Sequence, residues 1–526
     1  MNYAALNYAA LFRATLPETA LEIAALLVLV VDLAALRKAA AQTRVAVAAA
    51  LGIVGCAAAL WAAVNAGPFS AGNNLLLAAR GSAGVAQVAI LVLTALTLLL
   101  LVDSSFTRNP GEYVAVVLMA AAGGLIIAAA QDLLVIFIGL ELLSLGLYIL
   151  TAFAKQSGRS AESAVKYYIF GAMSAAFLLF GFSYLYGLSG STSLPRVVLG
   201  TSMASWNGAA PLFLLALVMI AAGLGFKVAA VPFHLWAPDT YEGAPAPAAA
   251  FIASVSKVAS FALLISISYA SLHWMGMLHL TGTVSVQVAP SNAPRPHFAP
   301  SMAIEWPEIL MVLSVASMVV GNLAALAQSS VRRLLAYSAI AHAGYILLGL
   351  VYFSWTNAGA QAILYYIVSY GLTTIGAFGV VGVVERATGS DKLDSFLGLH
   401  KRNPLLAAVL LILFLSLAGI PPLVGFWAKF NLFAAVLGLG YHFTLTSLPT
   451  TALVLVALAI AFSAVSLYYY LKVLKRAYVM PAADESPIRA HPVTIAVLLV
   501  IAAAVLVFGC FPALLQGWIA SFYPGS

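Results

Sequence analysis

The chain has 526 residues, 63% of them hydrophobic and only 8% charged, with a mean hydropathy of +1.04, which excludes a soluble globular domain. The formal net charge of +7 would suit nucleic acid or an acidic partner. Its Lys and Arg residues, however, gather in short loops between apolar runs, so membrane topology accounts for them and no nucleic-acid partner is expected.

A membrane-spanning helix needs roughly 20 apolar residues, and the predicted spans centre near residues 26, 55, 93, 121, 142, 175, 220, 258, 318, 342, 370, 420, 460 and 504. The expected fold is thus an all-α integral membrane protein of about fourteen transmembrane helices, with lipid as its surroundings. The first apolar run lacks the basic flank and small-residue cleavage site of a signal peptide, carries Glu22 and ends at Asp32, so it reads as a retained helix. Glu18, Glu22 and Asp32 read as helix-end groups. Basic residues follow spans 1, 5, 9, 11 and 13 as Arg37/Lys38/Arg44, Lys155/Arg159, Arg332/Arg333, Arg386/Lys392/Lys401/Arg402 and Lys472/Lys475/Arg476. The positive-inside rule then puts these odd loops in the cytoplasm and both termini outside. The loop after span 7, with Asp239 and Glu242, breaks the pattern.

Cys56 and Cys510 lie alone in apolar spans and form neither a disulfide framework nor a metal-ligand cluster. No nucleotide motif occurs, and Gly123 and Gly124 in span 4 suit close helix packing. No cofactor is expected in this chain.

An internal repeat is legible in the middle of the chain. Ala164–Ser174 reads AVKYYIFGAMS and Ala362–Leu372 reads AILYYIVSYGL, 198 residues apart. One span further on in each half stands an interrupted segment with a lysine, GLGFKVAAVPFHLW with Lys227 and GIPPLVGFWAKF with Lys429. The expected organisation is three N-terminal helices (1–111), a five-helix unit (112–275), a second copy (308–476) and a C-terminal helix (490–526). An odd number of spans per unit makes the second copy inverted. Broken spans 7 and 12 within inverted repeats point to transport, because unwound backbone is tolerated at membrane depth only where it is enclosed by protein or lines a cavity.

Glu141, Lys227, Lys257 and Lys429 interrupt these apolar spans. An ionisable group there is costly and by default marks an ion or proton pathway. Lys227 stands five residues before Pro232, so it could also snorkel to the headgroups. Lys257 lies fourteen residues beyond Gly243, about 21 Å along a helix, too deep for that escape. A fixed salt bridge holding helices together is the structural alternative. Burial weakens a lysine's hold on its proton and a nearby carboxylate restores it, so Glu141 and Lys227 form a natural switch, with Lys257 and Lys429 passing the proton onward. Lys166, His234 and His342 are secondary candidates. His234 belongs to the loop PFHLWAPDTYEGAPAP, whose four prolines from Pro232 to Pro247 are expected to preclude a regular helix.

The motifs KVAAVPFHLWAPDTYEGAPAP with SVSKVA, VVGNLAALAQSSVRRLLAYSAIAHAGYILLGL and GIPPLVGFWAKF resemble the antiporter-like proton-pumping subunits of respiratory complex I, and among them the subunit N branch. The resemblance runs from about Leu16 to the last span. It implies fourteen helices with two inverted repeats, and proton translocation in the bacterial inner membrane coupled to quinone reduction. It also implies a relay at Glu141, Lys227, Lys257 and Lys429. Flavin, iron-sulfur clusters and quinone would belong to partner subunits, and subunits M, K and J would be neighbours. Lysine at 429 separates the chain from subunit M, which resembles it but has glutamate there. The stretch Thr281–Trp306 is longer than the resemblance leads one to expect and is assigned outside the membrane. A large subunit of a multisubunit cation/proton antiporter and a transport-inactive scaffold are the alternatives.

The charge asymmetry predicts that reporter domains fused after Lys38 and at the C-terminus report opposite sides of the membrane. Reports from the same side would contradict the fourteen-span topology.

Overall fold

The computed structural model describes residues 12–65, 77, 81–197, 210–274, 305–352, 357–438, 450–482 and 486–523. The stretch 281–304 therefore lies outside the described residues, while Glu305 and Trp306 already open a helix. Backbone amides without water must bond within their own segment, which leaves the helix as the way for an apolar open chain to cross lipid. The described chain is accordingly helical: α1 (Leu16–Val30), α2 (Ala41–Asn65), α3 (Ser82–Leu101), α4 (Pro110–Ala129), α5 (Leu133–Thr151), α6 (Gly158–Ser189), α7 (Ala210–Val228), α8 (Trp236–Gly243), α9 (Ala246–Phe251), α10 (Lys257–Trp274), α11 (Glu305–Leu326), α12 (Val331–Val351), α13 (Asn357–Thr388), α14 (Pro404–Ala418), α15 (Val424–Val436), α16 (Thr450–Tyr478), α17 (Pro492–Cys510) and α18 (Pro512–Ala520). Twelve described helical segments are long and apolar enough to cross a membrane. Each expected span centre lies inside a helix except that near residue 420, which falls at the break between α14 and α15.

Start signals are local. Proline occupies the first turn of α4, α14, α17 and α18, where its missing N–H is harmless. Side-chain oxygens of Asp132, Ser157, Ser330 and Asn403 accept from the first amides of α5, α6, α12 and α14. The same logic corrects the reading of the proline-rich segment around His234. Residues 236–243 form the helix α8, because Pro238 sits in its first turn, while Pro245 caps and Pro247 starts α9.

The α9–α10 span and helices α12, α13 and α4 are the most enclosed, whereas α16 and α6 leave most of their surface outside. Close approach rests on small residues. A Cβ on Gly123 would lie 2.6 Å from the Leu143 amide nitrogen, so only glycine lets α4 meet α5; Gly124 has ordinary room.

Two interruptions organise the interior. After Val228 the chain turns through Ala229 at φ 57°, and the Phe226 carbonyl, which takes the Ala229 N–H at 3.0 Å, also accepts the Trp236 indole at 2.9 Å. After Ala418 it turns through Gly419 at φ 87°, and α15 begins five residues later. At this second break a Cβ on Gly425 would collide with the Ser416 carbonyl oxygen.

Loops meet at two faces. On one, Asp239 accepts from Lys166 at 2.9 Å and from Arg333 at 2.8 Å, and Glu242 pairs with Arg333 at 2.9 Å. The acidic loop that breaks the charge pattern is therefore neutralised by the basic groups around it. Burial alone would raise the Asp239 carboxyl, but its bonds to Lys166 and Arg333 hold it below the usual range. Arg386 with Asp103 belongs to the same charged face. A pair of clasps ties helix ends: Leu133 N–H to Thr192 and Leu194 N–H to Gln131, against Val331 N–H to Asp391 and Leu393 N–H to Ser329. The first lies at the end of α5 away from the charged face, the second within that face. Their hydroxyl and carboxylate are exchanged, Thr192 bonding Asp132 in one and Ser330 bonding Asp391 in the other.

Gly123→Val should destabilise the protein by about 1–3 kcal/mol through overpacking at α4–α5. Gly158→Ala, where a Cβ meets nothing within 4 Å, should leave the melting temperature of the detergent-solubilised protein unchanged. Equal melting of the two variants would contradict this packing.

Candidate functional site

The three lysines singled out in the sequence are all buried, each held by neutral oxygens. Lys227, in the last turn of α7, donates to the Ser144 hydroxyl of α5, which in turn donates to the Leu140 carbonyl. It does not snorkel. Glu141, one turn before Ser144 on α5, is only partly buried and no salt bridge joins it to Lys227 among the described residues, so Ser144 stands as the lysine's immediate partner.

Lys257 follows a π-helical turn, Ile252–Ser256, and donates to the Ala339 carbonyl of α12 at 2.6 Å. Such turns recur at functional sites because they displace one residue from the regular ladder. Its ammonium lies 5.9 Å from the centre of the Tyr370 ring. Lys429, on α15, reaches back to the end of α14, donating to Leu417 at 3.2 Å and Ala418 at 2.9 Å, and to the Ser463 hydroxyl at 2.8 Å. The carbonyls released by the break in the span thus become the lysine's ligands. The Tyr345 ring centre lies 5.5 Å away.

His342, one turn beyond Ala339 on α12, occupies the space between these two lysines. Its Nδ1 meets the Tyr366 hydroxyl at 2.7 Å and its Nε2 the Tyr470 hydroxyl at 3.4 Å, and Tyr470 bonds Ser338. The imidazole packs 4.9 Å from Tyr370 and 5.8 Å from Tyr345, the same rings that flank Lys257 and Lys429. A string of polar groups therefore runs from Lys257 through His342 to Lys429. No direct hydrogen bond joins Lys227 to Lys257 among the described residues.

The other candidates lie apart. Lys166 is part-exposed on the charged face, paired with Glu162 at 2.7 Å and with Asp239. His234 is partly buried in the break after α7, with Nδ1 unpartnered. Asp32 binds Arg44 at 2.7 Å, whereas Glu18 is buried with both oxygens unpartnered. No cluster of metal-ligating side chains occurs among the described residues.

Sequence reasoning missed Ser144, Tyr345, Tyr366, Tyr370, Tyr470 and Ser463. One signal was present: Ser144 and His342 stand 198 residues apart, the offset of the Tyr-Tyr-Ile repeat, and Tyr366 belongs to that repeat.

Buried ionisable groups on broken helices of a polytopic bundle define a membrane transport protein, and comparison with known proteins is specific. The family described as NADH:quinone oxidoreductase/Mrp antiporter matches residues 130–295 and 293–455. NADH-quinone oxidoreductase subunit N 2 of Acidobacterium capsulatum is 46% identical over 98% of this chain and 99% of its own. A chain of respiratory complex I from Thermus thermophilus, solved with bound aureothin, superposes with a TM-score of 0.73 at 32% identity, covering 95% of this chain and 98% of that one. A chain of the Mrp complex from a Dietzia species superposes with a TM-score of 0.74 at 20% identity, covering 98% of each, a likeness of fold alone. The chain belongs to the subunit N family of NADH-quinone oxidoreductases.

Proposed function

We propose that this chain is a proton-translocating membrane subunit of an NADH-quinone oxidoreductase, in which quinone reduction by other subunits drives protons through a relay of Glu141, Lys227, Lys257 and Lys429. The observation that supports the reading is that, among the described residues, the three lysines bond only hydroxyls and carbonyls. A salt bridge that merely fastened helices would pair each with a carboxylate. A hydroxyl instead accepts from an ammonium or donates to an amine, so Ser144 and Ser463 serve either protonation state. Energetics favour a near balance: taking an ion out of water costs several kcal/mol, and each bond to a charged group returns about 1.5–3 kcal/mol. A modest shift in a nearby charge then changes which form is preferred.

His342, with Tyr366 and Tyr470, carries the proton between Lys257 and Lys429 in this scheme. The two five-helix units, 112–275 and 308–476, are read as inverted copies, supported by the matching clasps on opposite faces and by Lys227 and Lys429 at matching breaks. Flavin, iron-sulfur clusters and quinone belong to partner subunits, with subunits M, K and J as membrane neighbours. The setting is the bacterial inner membrane, with the charged face in the cytoplasm and both termini outside. High identity to subunit N across the whole chain favours this over a cation/proton antiporter, whose likeness is one of fold.

Glu141→Gln, which keeps volume and removes charge, should sharply reduce donor-driven proton uptake in membrane vesicles at normal assembly. Lysine can release its proton, whereas arginine stays charged in proteins. Lys227→Met and Lys227→Arg should therefore both impair uptake, with quinone reductase activity falling in parallel. An arginine variant pumping at the wild-type rate would show that a permanent charge suffices.

A further inference from the structure

A cavity of about 360 Å³ opens on the charged face, away from the lysine string, and is lined by Asp103, Glu242, Arg332, Phe378, Glu385 and Thr494 among others. Its three acids differ in what holds them. Asp103 is bound by both terminal nitrogens of Arg386, at 2.6 and 2.7 Å. Glu242 is paired with Arg333 at 2.9 Å. Among the described residues Glu385 has a single long ion-pair contact, 3.5 Å from Arg332, and that guanidinium is already committed to the Glu242 and Ala244 carbonyls at 2.8 and 2.7 Å. Glu385 is thus the acid of the wall most free to exchange a proton with the cavity. The Arg332 Nε and the Thr494 hydroxyl, both on buried side chains of the same wall, have no partner, which marks the wall as polar beyond its own ion pairs.

Inward from Glu385, one stripe of α13 carries Gly382, Phe378, Thr374 and Tyr370, spaced three or four residues apart and therefore on one face. The distance from Glu385 to Tyr370 along the helix is about 22 Å. Tyr370 is the ring beside Lys257. The Thr374 hydroxyl is buried beside Tyr370, the Tyr241 hydroxyl of α8 is buried with no partner among the described residues, and the Tyr241 ring meets Phe378 edge-on at 5.6 Å. Phe378 is the one apolar obstacle on the stripe between the cavity and these hydroxyls.

We propose that this cavity is the mouth through which protons are taken up, and that Glu385 is its loading group. The inference rests on the relay reading above. Hydronium in the cavity gives its proton to the Glu385 carboxylate, forming the acid and water. The acid passes a proton inward along water and the Tyr241, Thr374 and Tyr370 hydroxyls to the neutral amine of Lys257, forming the ammonium and restoring the carboxylate. Arg332 on α12, Arg159 on α6, Glu242 on α8 and Asp391 beyond the end of α13 surround Glu385, so its proton affinity is set jointly by four elements.

The test is proton uptake by assembled complex in membrane vesicles. Glu385→Gln should slow uptake about tenfold or more, a threshold set below the roughly hundredfold or greater contribution of positioned proton-transfer groups. The defect should deepen as the medium on the charged face is made alkaline, and Glu385→Asp should restore much of the rate. A purely structural role would lower the rate equally at every pH. If Glu385→Gln pumps with the wild-type rate and pH profile while Lys257→Met is blocked, the intake assignment is wrong and the relay stands. If Lys257→Met also pumps normally, the relay itself fails. Should Glu385→Gln not assemble, Ser105→Cys on the rim of the cavity, labelled from the charged face with a bulky membrane-impermeant thiol reagent, decides the matter. Labelling that slows uptake supports the mouth, and labelling without effect overturns it.

Discussion

Three buried lysines, with no bonded carboxylate among the described residues, constrain everything else in this fold. An ammonium at membrane depth needs oxygen ligands, and in an apolar helix the carbonyls are already engaged by the helix's own amides. The protein supplies them in three ways. The break after α14 releases the Leu417 and Ala418 carbonyls to Lys429. A serine on a neighbouring helix meets Lys227. Lys257 bonds the Ala339 carbonyl inside the unbroken helix α12, an oxygen with a second lone pair to offer. Helix breaks and the π-turn cost backbone regularity, and the lysines they surround are the return on that cost.

This arrangement differs from a fixed electrostatic brace. The braces of the molecule stand at its rim, where Asp239, Glu242, Arg333, Lys166, Arg386 and Asp103 form conventional ion pairs that bind the loops of one face. The interior instead combines carbonyls with hydroxyls and an imidazole, and the last two can donate or accept as protonation changes. Charge is locked where the fold needs holding and left adjustable where the proposed chemistry needs change.

The amino-acid sequence revealed the spans and their charged interruptions because both stand out against lipid: long apolar runs are required, and a charge within them is expensive. Lys227, Lys257 and Lys429 were legible for that reason. Their ligands were not. Ser144 and Ser463 are ordinary residues in apolar helices, and the Ala339 carbonyl leaves no mark in a sequence at all. The helix α8 was hidden because proline content was weighed without position in the turn, since Pro238 in a first turn is no obstacle. The acidic loop looked anomalous because its compensation by Arg333 and Lys166 is tertiary, across 94 and 73 residues of chain. Glu141 and Lys227 were legible as a pair, but the hydroxyl that Lys227 bonds, Ser144 one turn further along α5, was not.

The central claim is that the buried lysines change protonation state during turnover. Infrared difference spectroscopy of the assembled complex, with lysine isotopically labelled in the side-chain nitrogen, reads that change directly. The account predicts ammonium bands that shift with the label on addition of electron donor and diminish in Lys257→Met and Lys429→Met. A difference spectrum with no labelled lysine signal, in complex that still pumps, would contradict it.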